Sequence, residues 1–72
     1  MPKPDSITII ANGKNFTCQR NTSLEIFLTR LHLSMEHVIV EYNKRALTKK
    51  EALTIMLKNG DQLEIVRIIA GG

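Results

Sequence analysis

Residues 7–18 read ITIIANGKNFTC. Two runs of strand-forming residues flank Asn12-Gly13, and Asn-Gly is the preferred pair for a two-residue type I′ turn because both central residues need a positive φ. With that pair at the tip, Ala11 stands opposite Lys14, Ile9 opposite Phe16 and Ile7 opposite Cys18. The last two pairs share one face, which is therefore apolar. The other face carries Thr8 against Thr17 and Ile10 against Asn15, and is more polar. Turn chemistry and burial pattern select the same register, and a slip of one residue would turn every apolar side chain to the wrong face. The stretch is a β-hairpin with one face that needs a cover.

The cover follows in the chain. In NTSLEIFLTRLHL, residues 21–33, Leu24, Phe27, Leu28 and Leu31 fall at i, i+3, i+4 and i+7. That spacing makes one apolar stripe on a helix of about two to three turns. Thr22-x-x-Glu25 reads as a capping box at its start, the Thr hydroxyl bonding the Glu25 amide and the Glu carboxylate reaching back. Beyond the helix, HVIVEYNKRAL reads as a short strand, a turn at Asn43-Lys44 and a brief return, with Val40 facing Leu47. Thr48-x-x-Glu51 is a second capping box, for a short helical turn, and Asn59-Gly60-Asp61 is another tight turn. A final strand runs from Gln62 to about Ile68, with Leu63 and Ile65 inward and Val66 and Ile68 outward. Arg67 falls on the inward side, where an unpaired buried charge is costly, so the strand is expected to leave the sheet near Arg67.

This order predicts an α+β roll. It is a mixed sheet of four to five strands, with the last strand parallel to the first at the centre and one main helix packed across: the β-grasp, or ubiquitin-like, fold. Its expected core is Ile7, Ile9, Phe16, Leu24, Phe27, Leu28, Leu31, Val40, Leu63 and Ile65. Residues 1–72 form one domain, with 1–5 as a flexible lead-in and 69–72 as a mobile tail.

Composition narrows the function. With 72 residues and a net charge of +3, the chain is small and only mildly basic. That balance permits an acidic partner without demanding nucleic acid. The single cysteine allows no internal disulfide, which fits a reducing compartment, usually the cytoplasm. No apolar run approaches the roughly 20 residues that span a bilayer, and MPKPDS does not read as a signal peptide. His32 and His37 stand without a nucleophile at a recognisable spacing, and no third ligand completes a zinc set. A phosphate loop and an H-E-x-x-H pair are both lacking. A binding or carrier module is the better reading than an enzyme.

The last ten residues, LEIVRIIAGG, carry the clearest chemical signal. Glycine weakens a strand. Two consecutive glycines without Cβ atoms instead let a backbone thread a narrow channel and present a carboxylate deep in another protein's site. With the VEYN strand end and its turn, NGDQLEIVRIIAGG and the closing IAGG, the chain resembles the ThiS-type sulfur carriers of thiamin (thiazole) biosynthesis over roughly residues 7–72. It departs from their pattern in Lys44, at a turn where glycine is frequent, and in the proline-containing extension before the first strand.

The resemblance implies a sulfur shuttle that is a protein co-substrate and not an enzyme. A ThiF-type adenylating enzyme would use ATP to activate the Gly72 carboxylate. A sulfur donor such as a cysteine desulfurase would supply the sulfur of a thiocarboxylate, and a ThiG-type thiazole synthase would consume it. No cofactor is expected on the carrier itself. Ala70 and Gly71 would thread the partner's site, and Val66 and Ile68 would dock. Related readings are a molybdopterin-synthase small-subunit-like carrier and a ubiquitin-like modifier. From another class, a nucleic-acid-binding β-grasp module is poorly served by three aromatics, Phe16, Phe27 and Tyr42. The hairpin register favours a core place for Cys18 over a sulfur relay, and Lys44, Arg45, Lys49 and Lys50 read as a solvated turn before a docking patch.

Overall fold

The computed structural model of the chain describes residues 5–69. The hairpin forms in the expected register: β1 (Ser6–Ala11) pairs antiparallel with β2 (Lys14–Gln19), with Ile7 opposite Cys18 and Ile9 opposite Phe16. Asn12 and Gly13 take φ values of 50° and 79°, both in the left-handed region that the tight turn needs. The Asp5 carbonyl accepts the Arg20 amide at 2.6 Å, and the rest of the expected lead-in lies outside the described residues.

Next come helix α1 (Leu24–Arg30), a 3₁₀ turn at Met35–His37, β3 (Val38–Tyr42), β4 (Arg45–Ala46), helix α2 (Lys49–Ala52) and β5 (Gln62–Arg67). The sheet order is β2-β1-β5-β3-β4. β5 is central, parallel to β1 and antiparallel to β3.

The parallel ladder is brief, with Ile10 beside Gln62 and Ala11 beside Leu63. β1 turns away at Asn12, so its next peptide group is not available to β5. The Asn12 side chain takes that place. Its Oδ1 accepts the Ile65 amide at 2.7 Å and its Nδ2 donates to the Ile65 carbonyl at 3.0 Å. At the other end, Asn59 Oδ1 accepts the Thr8 amide at 2.8 Å, and the Gly60 amide donates to the Thr8 carbonyl at 2.8 Å. The two Asn-Gly turns thus fasten both ends of the contact between the first and last strands.

The α1 stripe is buried at Leu24, Phe27 and Leu28, and it packs over Ile7, Ile9, Val40, Leu63 and Ile65. Phe27 meets Phe16 edge to face at a centroid distance of 5.6 Å. Phe16 and Leu31 are rim residues rather than fully buried ones, and Ala11, Cys18, Val38, Ala52 and Leu57 complete the core. Cys18 is a free, buried thiol, as its register requires.

One local reading needs correction. The N-cap of α1 is Ser23, whose hydroxyl accepts the Ile26 amide at 3.1 Å, and not Thr22. The Thr22 hydroxyl is already engaged with the Gln19 carbonyl at 2.6 Å, and its own carbonyl accepts the Leu57 amide. Thr22 is therefore a buried fastener between β2 and the α2–β5 connection. β5 ends at Arg67, near where it was expected to leave the sheet: Arg67 is its last ladder residue, opposite Val38, and the Ile68 amide makes one further bond to the His37 carbonyl at 2.8 Å. Arg67 remains solvated because the inward side at this end of the sheet opens into a groove and not into the core. The Thr48–Glu51 capping box is present, and its bonds hold the Glu51 carboxyl below the usual carboxylate range.

Candidate functional site

The outward face of the sheet is built by alternation in β3 and β5. Val38 and Val40 are buried, which turns Ile39 and Glu41 outward; Leu63 and Ile65 are buried, which turns Glu64 and Val66 outward. The register then sets Ile39 directly opposite Val66 and Glu41 directly opposite Glu64. Val66 is 59% exposed, Ile39 52% and Ile68 49%. The expected docking residue Val66 is therefore on the outward face, directly opposite Ile39, while Ile68, half-exposed, lies past the last ladder residue and borders the groove beside the strand end. The alternation in VIVEY was a sufficient signal for Ile39, which sequence reasoning did not single out.

After the Ile68 amide bond the chain has no further ladder partner among the described residues, and Ile69 is 89% exposed. The remaining expected site residues, Ala70, Gly71 and Gly72, lie outside the described residues, as does most of the tail assigned to 69–72. Beside the exit runs a groove of about 430 Å³, lined by Leu33, Val38 and Ile68 together with His32, His37 and Arg67. His32 sits there because it closes α1. It takes a positive φ of 60°, its amide bonds the Thr29 carbonyl, and the Leu33 amide returns to Leu28.

A polar cluster lies at the other end of β5, where the strand begins. The Asp61 carboxylate is buried. Its Oδ2 accepts the Tyr42 hydroxyl at 2.7 Å and the Lys58 amide at 2.7 Å, while Oδ1 accepts Asn43 Nδ2 at 3.1 Å. Asn43 in turn accepts the Gln62 amide through Oδ1 at 2.8 Å. These bonds tie the β3–β4 turn to the start of β5. Burial, and then the Asp61 carboxylate, pushes the Tyr42 phenol up to about 12.

The basic cluster expected at Lys44, Arg45, Lys49 and Lys50 is divided. Lys49 pairs with Glu36, holding that carboxyl below its ordinary value, and Arg45 acts on Glu51. Lys44 occupies the turn tip with a φ of 71°. Among the described residues no group of three or more His, Cys, Asp or Glu side chains could hold a metal ion. No described helix is long and apolar enough to cross a membrane. An exposed apolar strip and a projecting strand end are suited to docking and presenting a terminus.

The strand order, the helix across the hairpin and the exposed end of the central strand define a ubiquitin-like β-grasp protein. The ThiS family model matches residues 7–72, and the chain belongs to the ThiS family. Among solved structures it is similar to the thiamine biosynthesis protein ThiS of Geobacter metallireducens, with a TM-score of 0.75 and 26% identity over 92% of this chain and 100% of that one. A designed protein based on a human ubiquitin template shares the fold at a TM-score of 0.54 and 20% identity, over 94% of this chain and 96% of that one. Among sequences, the ycf40 protein of Pyropia yezoensis is 34% identical over 67 residues, covering 93% of this chain and 94% of the relative. A thiazole synthase of Magnetococcus marinus is 34% identical over 61 residues, covering 85% of this chain and 19% of the relative.

Proposed function

We propose that the chain is a sulfur carrier of thiamin biosynthesis, held by its partners through the β-grasp domain and chemically altered at the Gly72 carboxylate. The observation that carries this reading is the family match through residue 72, joined to a central strand that leads out of the sheet at Ile68 into the sequence Ala70-Gly71-Gly72. A carboxylate is a poor electrophile. An ATP-dependent adenylating enzyme of the ThiF type would convert it to an acyl adenylate, releasing pyrophosphate. A persulfide, such as that carried by a cysteine desulfurase, would then attack the acyl carbon and displace AMP, giving an acyl disulfide whose S–S bond a thiol reductant would cleave to release the thiocarboxylate. A thiazole synthase of the ThiG type would take the sulfur into the thiazole ring. The carrier contributes no catalytic group. It supplies a terminus without side chains, able to enter a narrow nucleotide site, and a rigid handle that positions it.

The thiazole synthase link is supported by the Magnetococcus marinus relative, where a stretch similar to this chain occupies about a fifth of a protein of that name. Pyrophosphate exchange with the cognate adenylating enzyme tests the reading. The wild type should support exchange. Gly72→Val and a variant with one residue added after Gly72 should not, with unchanged melting temperatures, because neither change touches the core. Normal exchange by the extended variant would overturn the proposal.

A further inference from the structure

The outward face holds a feature that the fold alone does not explain. Glu41 and Glu64 stand directly opposite each other on antiparallel strands β3 and β5. Side chains in such a pair start from Cβ atoms about 4.5–5.5 Å apart, and like charges there destabilise a sheet. Neither carboxylate has a basic partner among the described residues: the ion pair found is Lys49 with Glu36. Arg45, on the neighbouring strand β4, acts instead on Glu51 of α2. Arg67 lines the groove with His32 and His37 rather than this face. Thr or Gln at either position would serve an isolated sheet better.

The next row toward the strand end is the exposed apolar pair Ile39 and Val66, followed by Ile68. Two carboxylates, an apolar pair and the exit of the chain thus lie in line on one surface. We infer that Glu41 and Glu64 together receive a basic side chain, an Arg guanidinium or a Lys ammonium, from the docking face of the thiazole synthase, while an adjacent apolar side chain seats on Ile39 and Val66. The inference rests on the sulfur-carrier reading and names the charge that its partner must carry. A cation between the two carboxylates removes their repulsion only in the complex, so the unfavourable pair in the free carrier becomes a source of affinity and register in the bound one. The thiazole synthase is assigned as the occupant because a similar stretch shares a chain with it in a relative.

The test is calorimetric titration of the full-length carrier against the thiazole synthase of the same organism, at low and raised ionic strength, with a thermal melt of each variant. Glu41→Gln and Glu64→Gln should each melt at or above the wild-type temperature, yet bind at least tenfold more weakly. The double variant should lose most of the salt dependence that the wild type shows. Glu25→Gln, the same charge change on the helix side, should bind as the wild type does. Should either β-strand variant fold poorly, Glu41→Thr, a strand-favouring replacement, carries the same expectation. Wild-type affinity in the double variant would overturn the inference. So would variants that weaken the adenylating enzyme's binding and spare the thiazole synthase's. A wild type that supports pyrophosphate exchange but does not bind thiazole synthase overturns the docking inference and leaves the carrier reading intact; a wild type that supports no exchange strikes the carrier reading itself.

Discussion

Tyr42 is the single tyrosine of a chain without tryptophan, so its ionisation can be followed directly by ultraviolet absorbance. Its phenol is raised from 10.0 to about 12, first by burial and then by its hydrogen bond to, and repulsion by, the Asp61 carboxylate. A rise of that size corresponds to at most about 3 kcal/mol between the two protonation states, and solvent screening of a partly buried ring reduces this to about 1–2 kcal/mol. Because the folded value lies above the unfolded one, the contribution is complete below pH 10.0 and is lost as the pH climbs toward 12. Replacing Asp61 by Asn removes the charge while keeping the shape. The new amide must then point its NH₂ at either Lys58 N–H or Asn43 Nδ2, each a donor in the wild type. Asn43 cannot invert to accommodate it without turning its own NH₂ toward the Gln62 amide. One donor therefore faces another in every arrangement, at a cost of about 1–3 kcal/mol. Spectrophotometric titration of Asp61→Asn should place the phenol below its wild-type value and still above 10.0, since burial, the larger cause, persists. Urea unfolding at neutral pH should show the loss of stability. A wild-type phenol titrating at its ordinary value in the folded protein, or an Asp61→Asn titration identical to wild type, would refute the argument.

Phe27→Ala should destabilise the fold by about 3–5 kcal/mol in denaturant unfolding, because it empties the core beneath Phe16. Lys49→Ala removes only an exposed ion pair and should leave the midpoint nearly unchanged; equal effects would show that the helix face is misassigned. Lys44→Gly should raise stability by about 0.5–1 kcal/mol, because φ at this turn position is 71° and glycine alone adopts it without strain; a lower denaturation midpoint for the glycine variant would refute this. Val66→Asp places a charge on the exposed strip and should raise KM in pyrophosphate exchange more than it lowers kcat. Wild-type kinetics there would remove Val66 from the docking surface.

What could be read in the sequence was what depends on near neighbours. The Asn12-Gly13 turn, the register it imposes and the 24–31 stripe are local patterns, and their agreement identified the sheet's apolar face and its cover. The Thr48–Glu51 box was legible for the same reason. At Thr22 the same spacing misled, because a distant fact decided the outcome: Gln19 holds the hydroxyl, and Ser23, one residue on, caps instead. The end of β5 at Arg67 was legible from alternation, which gives a direction, inward, without saying that an open groove rather than core lies there. The Asp61 cluster was invisible because Tyr42 and Asn43 lie 19 and 18 residues away from it in the chain. The pairing of Glu41 with Glu64 likewise exists only once β3 and β5 are in register. The exposure of Val66 was legible from alternation in β5 alone, while its pairing with Ile39 exists only once β3 and β5 are in register.

The central claim is that the terminal carboxylate of Gly72 is the reacting group. Intact mass spectrometry of the carrier, after incubation with the cognate adenylating enzyme, ATP, a persulfide donor and a thiol reductant, tests it directly. The account predicts a gain equal to one oxygen replaced by one sulfur. A thiol-selective alkylating reagent should then label the product at its C-terminal peptide, while the buried Cys18 stays unmodified in the folded protein. The same mass gain without a C-terminal label, or a chain unchanged after complete incubation, would contradict it.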